Sequence, residues 1–140
     1  MSTLDKAILI AVQAHKGQKD RYGQPFILHP LRMMMRMGAE NERIVAVLHD
    51  VVEKTERTLE DLRCEGFSAE VVAAVDSLTK RPGEGYEAHI ERARTHPLSL
   101  RVKIEDLEDN MDPQRIIDFT DADKKRLERF HLAWSKLKNS

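Results

Sequence analysis

A length of 140 residues is the size of one domain, and an apolar content of 41% is enough for one hydrophobic core. Aromatic residues make up only 5% of the chain, which argues against a β-sandwich or a barrel. The formal net charge of -1 lacks the basic excess with which polynucleotide-binding proteins neutralise phosphates, so we expect no polynucleotide partner, although a small phosphorylated ligand needs only a few local cations.

Helical periodicity covers most of the chain, and no segment has a convincing strand pattern. The first predicted helix starts from a cap at Ser2 or Thr3 and runs to about Lys16. A polar loop, Gly17–Pro25, follows it. Pro30 then fits the first turn of a short, methionine-rich helix that ends at Gly38.

The next predicted helix is apolar nearly all round, which predicts a central and buried position. Asn41 caps it, and it carries apolar residues from Ile44 to Val52.

The remaining predicted helices are bounded by capping residues, glycines and prolines. They are a short helix from Thr58, with Asp61 in a capping box, to Gly66; a helix from Ser68 to about Leu78; one from about Tyr86 to Thr95; one from near Pro97 to about Met111; and a last amphipathic helix capped by Asp121. We therefore predict an all-α fold, with residues 1–140 forming a single-domain helical bundle.

Cysteine content and the N-terminal residues predict the location of the protein. Cys64 is the sole cysteine, so no internal disulfide can form, which fits a reducing compartment. Asp5 and Lys6 follow the start directly, unlike a secretory signal, and no apolar run approaches the roughly 20 residues of a membrane helix. We expect a cytoplasmic protein with no membrane partner.

The segment Leu48–Glu53 carries three ionisable side chains inside an otherwise apolar helix. A buried carboxylate without a partner is costly, and a divalent cation would compensate for it. Adjacent helical residues point about 100° apart, so His49 and Asp50 can hold one ion. Glu53 lies one turn after His49 and can reach a water at that ion. The alternative is that His49 and Asp50 form a core pair without a metal.

Two further segments favour the metal site. Phe26–Pro30 places His29 at the start of a helix, after an apolar entry. In the helix near residues 102–110, Lys103, Asp106 and Asn110 share one face beside the apolar stripe. The alternative is that His29 only starts a helix and that Asp106 belongs to a solvated face, as we expect of Glu105, Glu108 and Asp109.

Two imidazoles and two carboxylates form a hard, mixed nitrogen and oxygen donor set. This set suits Mn²⁺, Fe²⁺ or Mg²⁺ better than a thiolate-rich structural zinc site does. Such a metal would acidify a water and polarise a phosphoryl group.

Several motifs occur in a fixed order: Ala14–Gln18, Gly23–Leu31, Leu48–Glu53, Leu78–Lys80, and Val102–Asp106 followed by Asn110–Met111. Together they resemble the HD-type hydrolase domain of the RelA/SpoT family, which removes pyrophosphate from the 3′ position of (p)ppGpp. The chain most resembles the short, hydrolase-only members of that family. The resemblance covers roughly residues 7–115 and implies a helical HD-type fold.

The resemblance also implies roles for single residues. Glu53 would position or deprotonate the attacking water, and Asn110 would lie in the nucleotide pocket. The residues implied as Mn²⁺ ligands are His29, His49, Asp50 and Asp106. The candidate substrate contacts are the cations Lys16, Lys19, Arg21 and Lys80, although each alone is also explained as a surface cation.

Three positions depart from the family pattern. Lys54 stands where the family typically has an aspartate that takes part in catalysis, so we assign Lys54 to the catalytic group with Glu53. Leu107 stands where an arginine is usual, and Asp20 where many relatives have the arginine that stacks on guanine. Arg21 would replace that arginine only if the loop shifts.

The other histidines receive simpler interpretations. We expect His15 to be a satisfied core residue or to support the site from behind. His89, His96 and His131 are expected to be surface or capping residues.

The leading hypothesis is a Mn²⁺-dependent phosphohydrolase that acts on (p)ppGpp or a related nucleotide, with pyrophosphate as the leaving group. One alternative is an HD-fold hydrolase of another phosphorylated nucleotide. The other is a nucleotide-binding or partner-binding protein that has lost turnover through Lys54. An oligomer is compatible with the sequence, since the exposed side of the Met33–Met37 helix could serve as an interface.

Overall fold

A computed structural model describes residues 1–140 and contains helices but no strands. The α-helices are α1 (Leu4–Ala14), α2 (Leu28–Met35), α3 (Glu40–Leu48), α4 (Val51–Lys54), α5 (Leu59–Cys64), α6 (Ala69–Leu78), α7 (Tyr86–Arg94), α8 (Pro97–Asn110) and α9 (Asp121–Lys138). A short 3-10 helix, Pro113–Arg115, separates α8 from α9. The only extended pairing is an isolated antiparallel bridge between Lys19 and Pro25. The predicted all-α class is therefore confirmed.

Helix α3 lies at the centre of the fold, as its apolar circumference predicts. Every residue from Ile44 to Leu48 is buried, and the helix packs against α1, α2, α6 and α8. A core cluster of 22 buried residues includes this segment. Removing apolar surface from water contributes about 25 cal/mol per Å², so this cluster stabilises the fold and fixes the C-terminal end of α3.

A second apolar cluster holds the C-terminal helix in place. It joins α7, α8 and α9 through Ile90, Leu107, Phe130, Ala133 and Leu137. Because these residues fix α9 beside α7 and α8, the N-terminal half of α9 forms one wall of the cavity described below.

The predicted continuous helix through Val52 is wrong, because the chain breaks at His49 and Asp50, between α3 and α4. The His49 Nδ1–H donates to the carbonyl oxygen of Ala46 at 2.6 Å, in the preceding turn. Asp50 has φ -102° and ψ 0°, away from regular helix values. A side chain that bonds to the backbone in this way competes with the helix, and here it turns both polar residues toward one point.

The predicted helix boundaries agree with the structure in part. The predicted caps Thr58 and Ser68 are confirmed, since each side chain accepts a hydrogen bond from a backbone N–H of the first turn. The predicted first helix is too long, since α1 ends at Ala14 rather than near Lys16.

Two predicted caps are wrong by one or two residues. Ala39 rather than Asn41 precedes α3, and the Glu42 side chain accepts a hydrogen bond from the Ala39 N–H at 3.2 Å. Thr120 rather than Asp121 caps α9. In both cases the carboxylate of the third helical residue accepts a hydrogen bond from the backbone N–H of the cap residue. This bond sets the residue at which the helix begins.

The methionine-rich helix turns most of its side chains inward. Met33, Met34 and Met37 are buried, whereas Met35 is 75% exposed. No helix in the chain has both the length and the apolar character needed to cross a bilayer.

Candidate active site

Three predicted metal ligands come together where α2, α3 and α4 meet. His29 lies in the first turn of α2, His49 follows α3, and Asp50 precedes α4. One ligand atom from each lies within 4.8 Å of the others. Both imidazoles are buried, at 4% and 2% exposure. The kink between α3 and α4 thus brings consecutive residues of the chain to one point beside a histidine from another helix.

Helix α8 adds the fourth predicted ligand, Asp106. Its Oδ1 lies 2.9 Å from the Nε2 atom of His29 and 3.6 Å from the Nε2 atom of His49. The Oδ2 atom of Asp50 lies 3.0 Å from the same His49 nitrogen. The structure therefore brings together all four residues that the sequence analysis proposed as ligands.

The hydrogen bonds of the two imidazoles indicate that a cation belongs between these groups. The Nδ1–H of His49 donates to a carbonyl oxygen, and the Nδ1–H of His29 donates to the carboxylate of Asp109 at 2.6 Å. Because Nδ1 is engaged in each ring, Nε2 is the atom that faces a carboxylate oxygen, and in the absence of a metal a proton occupies the bond from His29 to Asp106. The Nε2 of His49 is buried and has no well-oriented hydrogen bond. A divalent cation would be bound by both Nε2 atoms and both carboxylates, so these residues fit a metal ion.

The pKa shifts of the clustered imidazoles and carboxylates show how these groups balance their charges when no metal is bound. Burial opposes the charged form of each group, but the mutual attraction of imidazole and carboxylate outweighs it. The pKa of His49 is raised well above its usual value, chiefly by the charge of Asp50, against the effect of burial. The charge of His49 in turn lowers the pKa of Asp50 to about 2, again against burial. Protons on the imidazoles therefore supply the positive charge that a bound metal ion would otherwise supply.

Two neighbours on α8 hold Asp106 in position. The Lys103 ammonium donates to its Oδ2 at 2.8 Å, and the Asn110 amide donates to its Oδ1 at 2.9 Å. The predicted common face of Lys103, Asp106 and Asn110 is confirmed. Asn110 lines the cavity, as the resemblance implied, but its amide N–H is already bonded to the carboxylate of Asp106.

Asp109 corrects the expectation of a solvated face on α8. It is fully buried, at 0% exposure, and Glu105 is buried as well, whereas Glu108 is partly exposed. Besides His29, three arginines from two other segments bind the Asp109 carboxylate: Arg32, Arg36 and Arg115. Sequence patterns did not identify this residue because His29, Arg32 and Arg36 lie more than 70 residues away along the chain, although its position one turn after Asp106 was a usable signal.

Glu53 and Lys80 meet at the rim of the site. The Oε1 of Glu53 accepts a hydrogen bond from the backbone N–H of Lys80 at 2.7 Å. This bond ties α4 to the loop after α6 and orients the Glu53 carboxylate. Both residues line the cavity that His29, Asp50 and Asp106 also line. The motif Leu78–Lys80 therefore contributes the backbone N–H of Lys80 to the site as well as the lysine side chain.

Lys54 lies at the same rim and is partly exposed, at 44% for its side chain. Its ammonium lies 3.9 Å from the Oε2 of Glu53 and 5.9 Å from the ring centre of Phe26. Phe26 packs in turn against the rings of His15 and His29. The lysine thus places a positive charge beside the carboxylate that we assigned to proton transfer.

A cavity of about 710 Å³ opens over the clustered residues. Three of the four predicted substrate contacts, Lys19, Arg21 and Lys80, line it, whereas Lys16 is exposed and does not. Further lining residues that the sequence did not indicate are Tyr22, Tyr86, His89, Arg115, Arg126 and Arg129.

The basic wall of this cavity comes largely from α9. Arg126 and Arg129 lie one turn apart, and the guanidinium of Arg129 stands 4.6 Å from the ring centre of Tyr86. Burial, and next to it the charge of Arg21, lower the pKa of Arg126. Cations crowded in this way favour a polyanionic ligand. The sequence pattern identified only the apolar face of α9, which packs against α7 and α8.

Asp20 has a structural role in the first loop. Its Oδ1 accepts hydrogen bonds from the backbone N–H groups of Tyr22 and Gln24, both at 2.9 Å. Its Oδ2 lies 3.3 Å from a guanidinium nitrogen of Arg115. Asp20, which departs from the family pattern, therefore closes the loop and pairs with Arg115, another residue that lines the cavity.

The remaining histidines differ in part from the expectations. His15 is a buried core residue whose Nδ1 bonds to Gln18 at 2.8 Å, but its Nε2 is buried without a partner, so the expected residue is only half satisfied. His96 caps α8, and His131 is exposed. The surface or capping role expected for His89 is wrong, because its side chain is buried at 5% exposure between α7 and α8.

Comparisons with known proteins agree with this geometry. No protein-family model matches the chain. It is 32% identical over 142 residues to the GTP pyrophosphokinase of Streptomyces coelicolor, covering 92% of this chain and 17% of that protein. It is 30% identical over 120 residues to the guanosine-3′,5′-bis(diphosphate) 3′-pyrophosphohydrolase of Aquifex aeolicus, covering 77% of this chain and again 17% of the relative. The chain therefore spans only about a sixth of the length of the curated relatives that it matches.

A solved structure shares the fold over nearly the whole chain. It is described as a metazoan ortholog of SpoT that hydrolyses ppGpp, and it superposes with a TM-score of 0.79 at 21% identity. The match covers 98% of this chain and 85% of that one. Sequence similarity to the pyrophosphokinases and pyrophosphohydrolases, together with this fold, shows that the chain belongs to the RelA/SpoT family.

Proposed function

We propose that this protein is a metal-dependent hydrolase that removes pyrophosphate from the 3′ position of (p)ppGpp. The observation that carries the proposal is the convergence of His29, His49, Asp50 and Asp106 at the base of a basic cavity. The Nε2 atoms of two imidazoles face two carboxylates there, next to cations suited to several phosphates. The names of the pyrophosphohydrolase relatives support the choice of substrate.

The proposed metal is Mn²⁺, held by those four side chains. The donor set is hard and mixed, which favours Mn²⁺ over thiolate-seeking ions, and no cysteine is near, since Cys64 is exposed elsewhere. When bound, such an ion lowers the pKa of water and polarises a phosphoryl oxygen.

In the proposed reaction, a water attacks the phosphorus atom next to the 3′ oxygen of the sugar. The bond from that oxygen to phosphorus breaks, the sugar regains a hydroxyl group, and pyrophosphate leaves. Glu53 accepts the proton of the attacking water, because its carboxylate lines the cavity and is oriented by the Lys80 N–H.

The basic side chains would balance the charge that builds up on the phosphates. Lys103 is already bonded to Asp106 and so keeps that carboxylate ionised and in place. Lys19, Lys80 and Arg126 line the cavity and are available for phosphate oxygens. Fixed cations in a cavity of this kind stabilise the transition state because they need no rearrangement during the reaction.

A second candidate function is the hydrolysis of another phosphorylated nucleotide at the same centre. Two observations favour it: Lys54 lies beside Glu53, and Asp20 pairs with Arg115 instead of presenting a cation to a base. A nucleotide-binding protein without turnover is the remaining alternative, and it also rests on Lys54.

We further propose that residues 1–140 act as one unit, because the cavity is lined by residues from Gln18 to Phe130. The test of the function is to incubate the purified protein with (p)ppGpp and Mn²⁺ and to resolve the products by chromatography. We expect pyrophosphate and the 5′-phosphorylated nucleoside, and no turnover in Asp50→Ala or His49→Ala. Full metal-dependent turnover in either variant would contradict the site. A panel of other nucleotides at fixed Mn²⁺ separates the second candidate from the first.

A further inference from the structure

Besides the Nε of Arg115, whose other guanidinium nitrogens are bonded, two buried polar atoms of residues that line the active-site cavity have no hydrogen-bond partner within the protein. The hydroxyl group of Tyr86 and the Nδ1 atom of His89 are both buried and without a hydrogen bond. They lie three residues apart on α7, so they share one face of that helix, and both residues line the cavity. A buried polar atom without a partner usually costs stability, so a pair of them beside a reaction centre requires an explanation.

The charged neighbours of these two residues are already engaged. Glu84 lies 3.9 Å from the Nδ1 of His89, too far for a hydrogen bond, and its carboxylate is bound by Arg92. Lys103, the other charged group near His89, donates to Asp106 at 2.8 Å. Neither of these charged groups therefore pairs with the two atoms in the structure.

The pair is electrically neutral, unlike the rest of the cavity wall. Burial lowers the pKa of His89 to about 4 and raises the pKa of Tyr86, so both groups are uncharged at neutral pH. A neutral imidazole offers one N–H and one lone pair, and a phenol offers a donor and an acceptor. A phosphate oxygen only accepts, whereas a hydroxyl group both donates and accepts and therefore matches the pair.

The pair also lies next to the reaction centre. Lys103, whose charge acts on both Tyr86 and His89, donates to Asp106, one of the four proposed metal ligands. A group recognised here must be close to the phosphate that is cleaved. In a nucleotide with a 3′ phosphate, the neutral polar group next to that phosphate is the 2′ hydroxyl of the ribose.

We propose that Tyr86 and His89 form a subsite that binds the 2′ hydroxyl of a ribonucleotide and so selects ribose over deoxyribose. This inference rests on the proposed function, since it assumes a 3′-phosphorylated nucleotide in the cavity. It assigns Tyr86 and His89 to specificity rather than to the chemical step.

The test compares the binding of ppGpp and its 2′-deoxy counterpart by calorimetry, with metal ions chelated so that no turnover occurs. The wild-type protein is expected to bind the ribonucleotide about fivefold to tenfold more tightly, the size of one or two neutral hydrogen bonds. Tyr86→Phe and His89→Phe should each reduce this ratio, and the double variant should abolish it. His131→Phe, on the exposed side of α9, serves as the control and should keep the wild-type ratio.

Thermal unfolding provides a second measurement. If the Tyr86 hydroxyl served only to stabilise the fold, its removal would lower the melting temperature. Because the Tyr86 hydroxyl has no partner, Tyr86→Phe should melt at the wild-type temperature or above it while losing selectivity. A lower melting temperature with unchanged selectivity would assign the hydroxyl to the core and overturn the subsite. A wild-type protein that binds both nucleotides equally, or variants that keep the preference, would overturn it too and leave the hydrolase proposal standing. If the wild-type protein neither binds nor hydrolyses ppGpp, the proposed function fails, and the subsite fails with it.

Discussion

The Nδ1 atom of His29 lies 2.6 Å from the Oδ2 atom of Asp109, a carboxylate that is completely buried. Arg32, Arg36 and Arg115 bind the same carboxylate, and its pKa is held far below the usual range against the effect of burial, first by the hydrogen bond from His29. A charged carboxylate at this position keeps the proton of His29 on Nδ1. The Nε2 atom, which bonds to Asp106 at 2.9 Å, is thereby the ring atom that would bind a metal ion in place of the proton in this bond.

We predict that Asp109→Asn weakens Mn²⁺ binding by about tenfold to 100-fold, because partners of this kind orient a histidine ligand and raise its basicity. Titration calorimetry with Mn²⁺ alone measures the effect. Glu108→Gln is the matched control, since it removes a charge from the neighbouring residue, which is partly exposed and outside the network. Equal Mn²⁺ affinity in both variants would show that Asp109 serves only to pair the arginines.

Lys54→Asp is predicted to raise kcat/KM for (p)ppGpp by at least about tenfold. The ammonium of Lys54 lies 3.9 Å from the Glu53 carboxylate and attracts the electrons that a base needs to accept a proton. Steady-state kinetics at fixed Mn²⁺ measures the change. Lys54→Ala separates the removal of the positive charge from the addition of a carboxylate, and a loss of activity in both variants would instead assign Lys54 to substrate binding.

The acid sensitivity of the fold should depend on His89. Its pKa is lowered to about 4 in the folded protein from a usual 6.5, chiefly by burial. The folded state then binds this proton less readily than the unfolded state does, so the stability that depends on the neutral ring is complete above pH 6.5 and declines as the pH falls toward 4.

We expect the wild-type protein to lose roughly 2 to 3 kcal/mol relative to His89→Phe between pH 7 and pH 4. Urea unfolding at several pH values measures this difference, and the titration of groups common to both proteins cancels in the comparison. Parallel stability curves for the two proteins would mean that His89 gains a proton in the folded state as easily as in the unfolded state.

Short-range patterns in the sequence predicted most of the helices and drew attention to the four clustered residues, whose assignment as ligands came from the family resemblance. The apolar circumference of α3 predicted its burial, and the segment Leu48–Glu53 identified the polar residues within it. The break at His49 was missed because it depends on a single bond from the His49 ring to the Ala46 carbonyl. Periodicity cannot reveal such a bond.

Sequence patterns could not identify residues whose partners are distant along the chain. Asp109 looked like one of several acidic residues on a solvated face, and only the folded chain brings Arg32 and Arg36 to it. The basic residues of α9 were missed for a similar reason, since periodicity assigns their face to solvent. The packing of α9 against α7 and α8 turns that face into a cavity wall.

Asp123 connects this wall to the first loop, and its removal provides the last prediction. Its carboxylate is buried and accepts hydrogen bonds from the Tyr22 hydroxyl at 2.7 Å, from Arg21 at 3.0 Å, and from the backbone and side chain of Thr120. We expect Asp123→Ala to lower the melting temperature by several degrees, since it unpairs these donors and removes half of the capping box of α9.

The same substitution should also weaken nucleotide binding, because Arg21 and Tyr22 would lose the contact that holds them at the cavity. Asp121→Ala is the control, since Asp121 lies in the first turn of the same helix but is exposed. Differential scanning calorimetry and titration with ppGpp measure the two effects. If Asp123→Ala lowers stability but leaves the affinity at the control value, the loop stays in place without α9, and the contact contributes to folding alone.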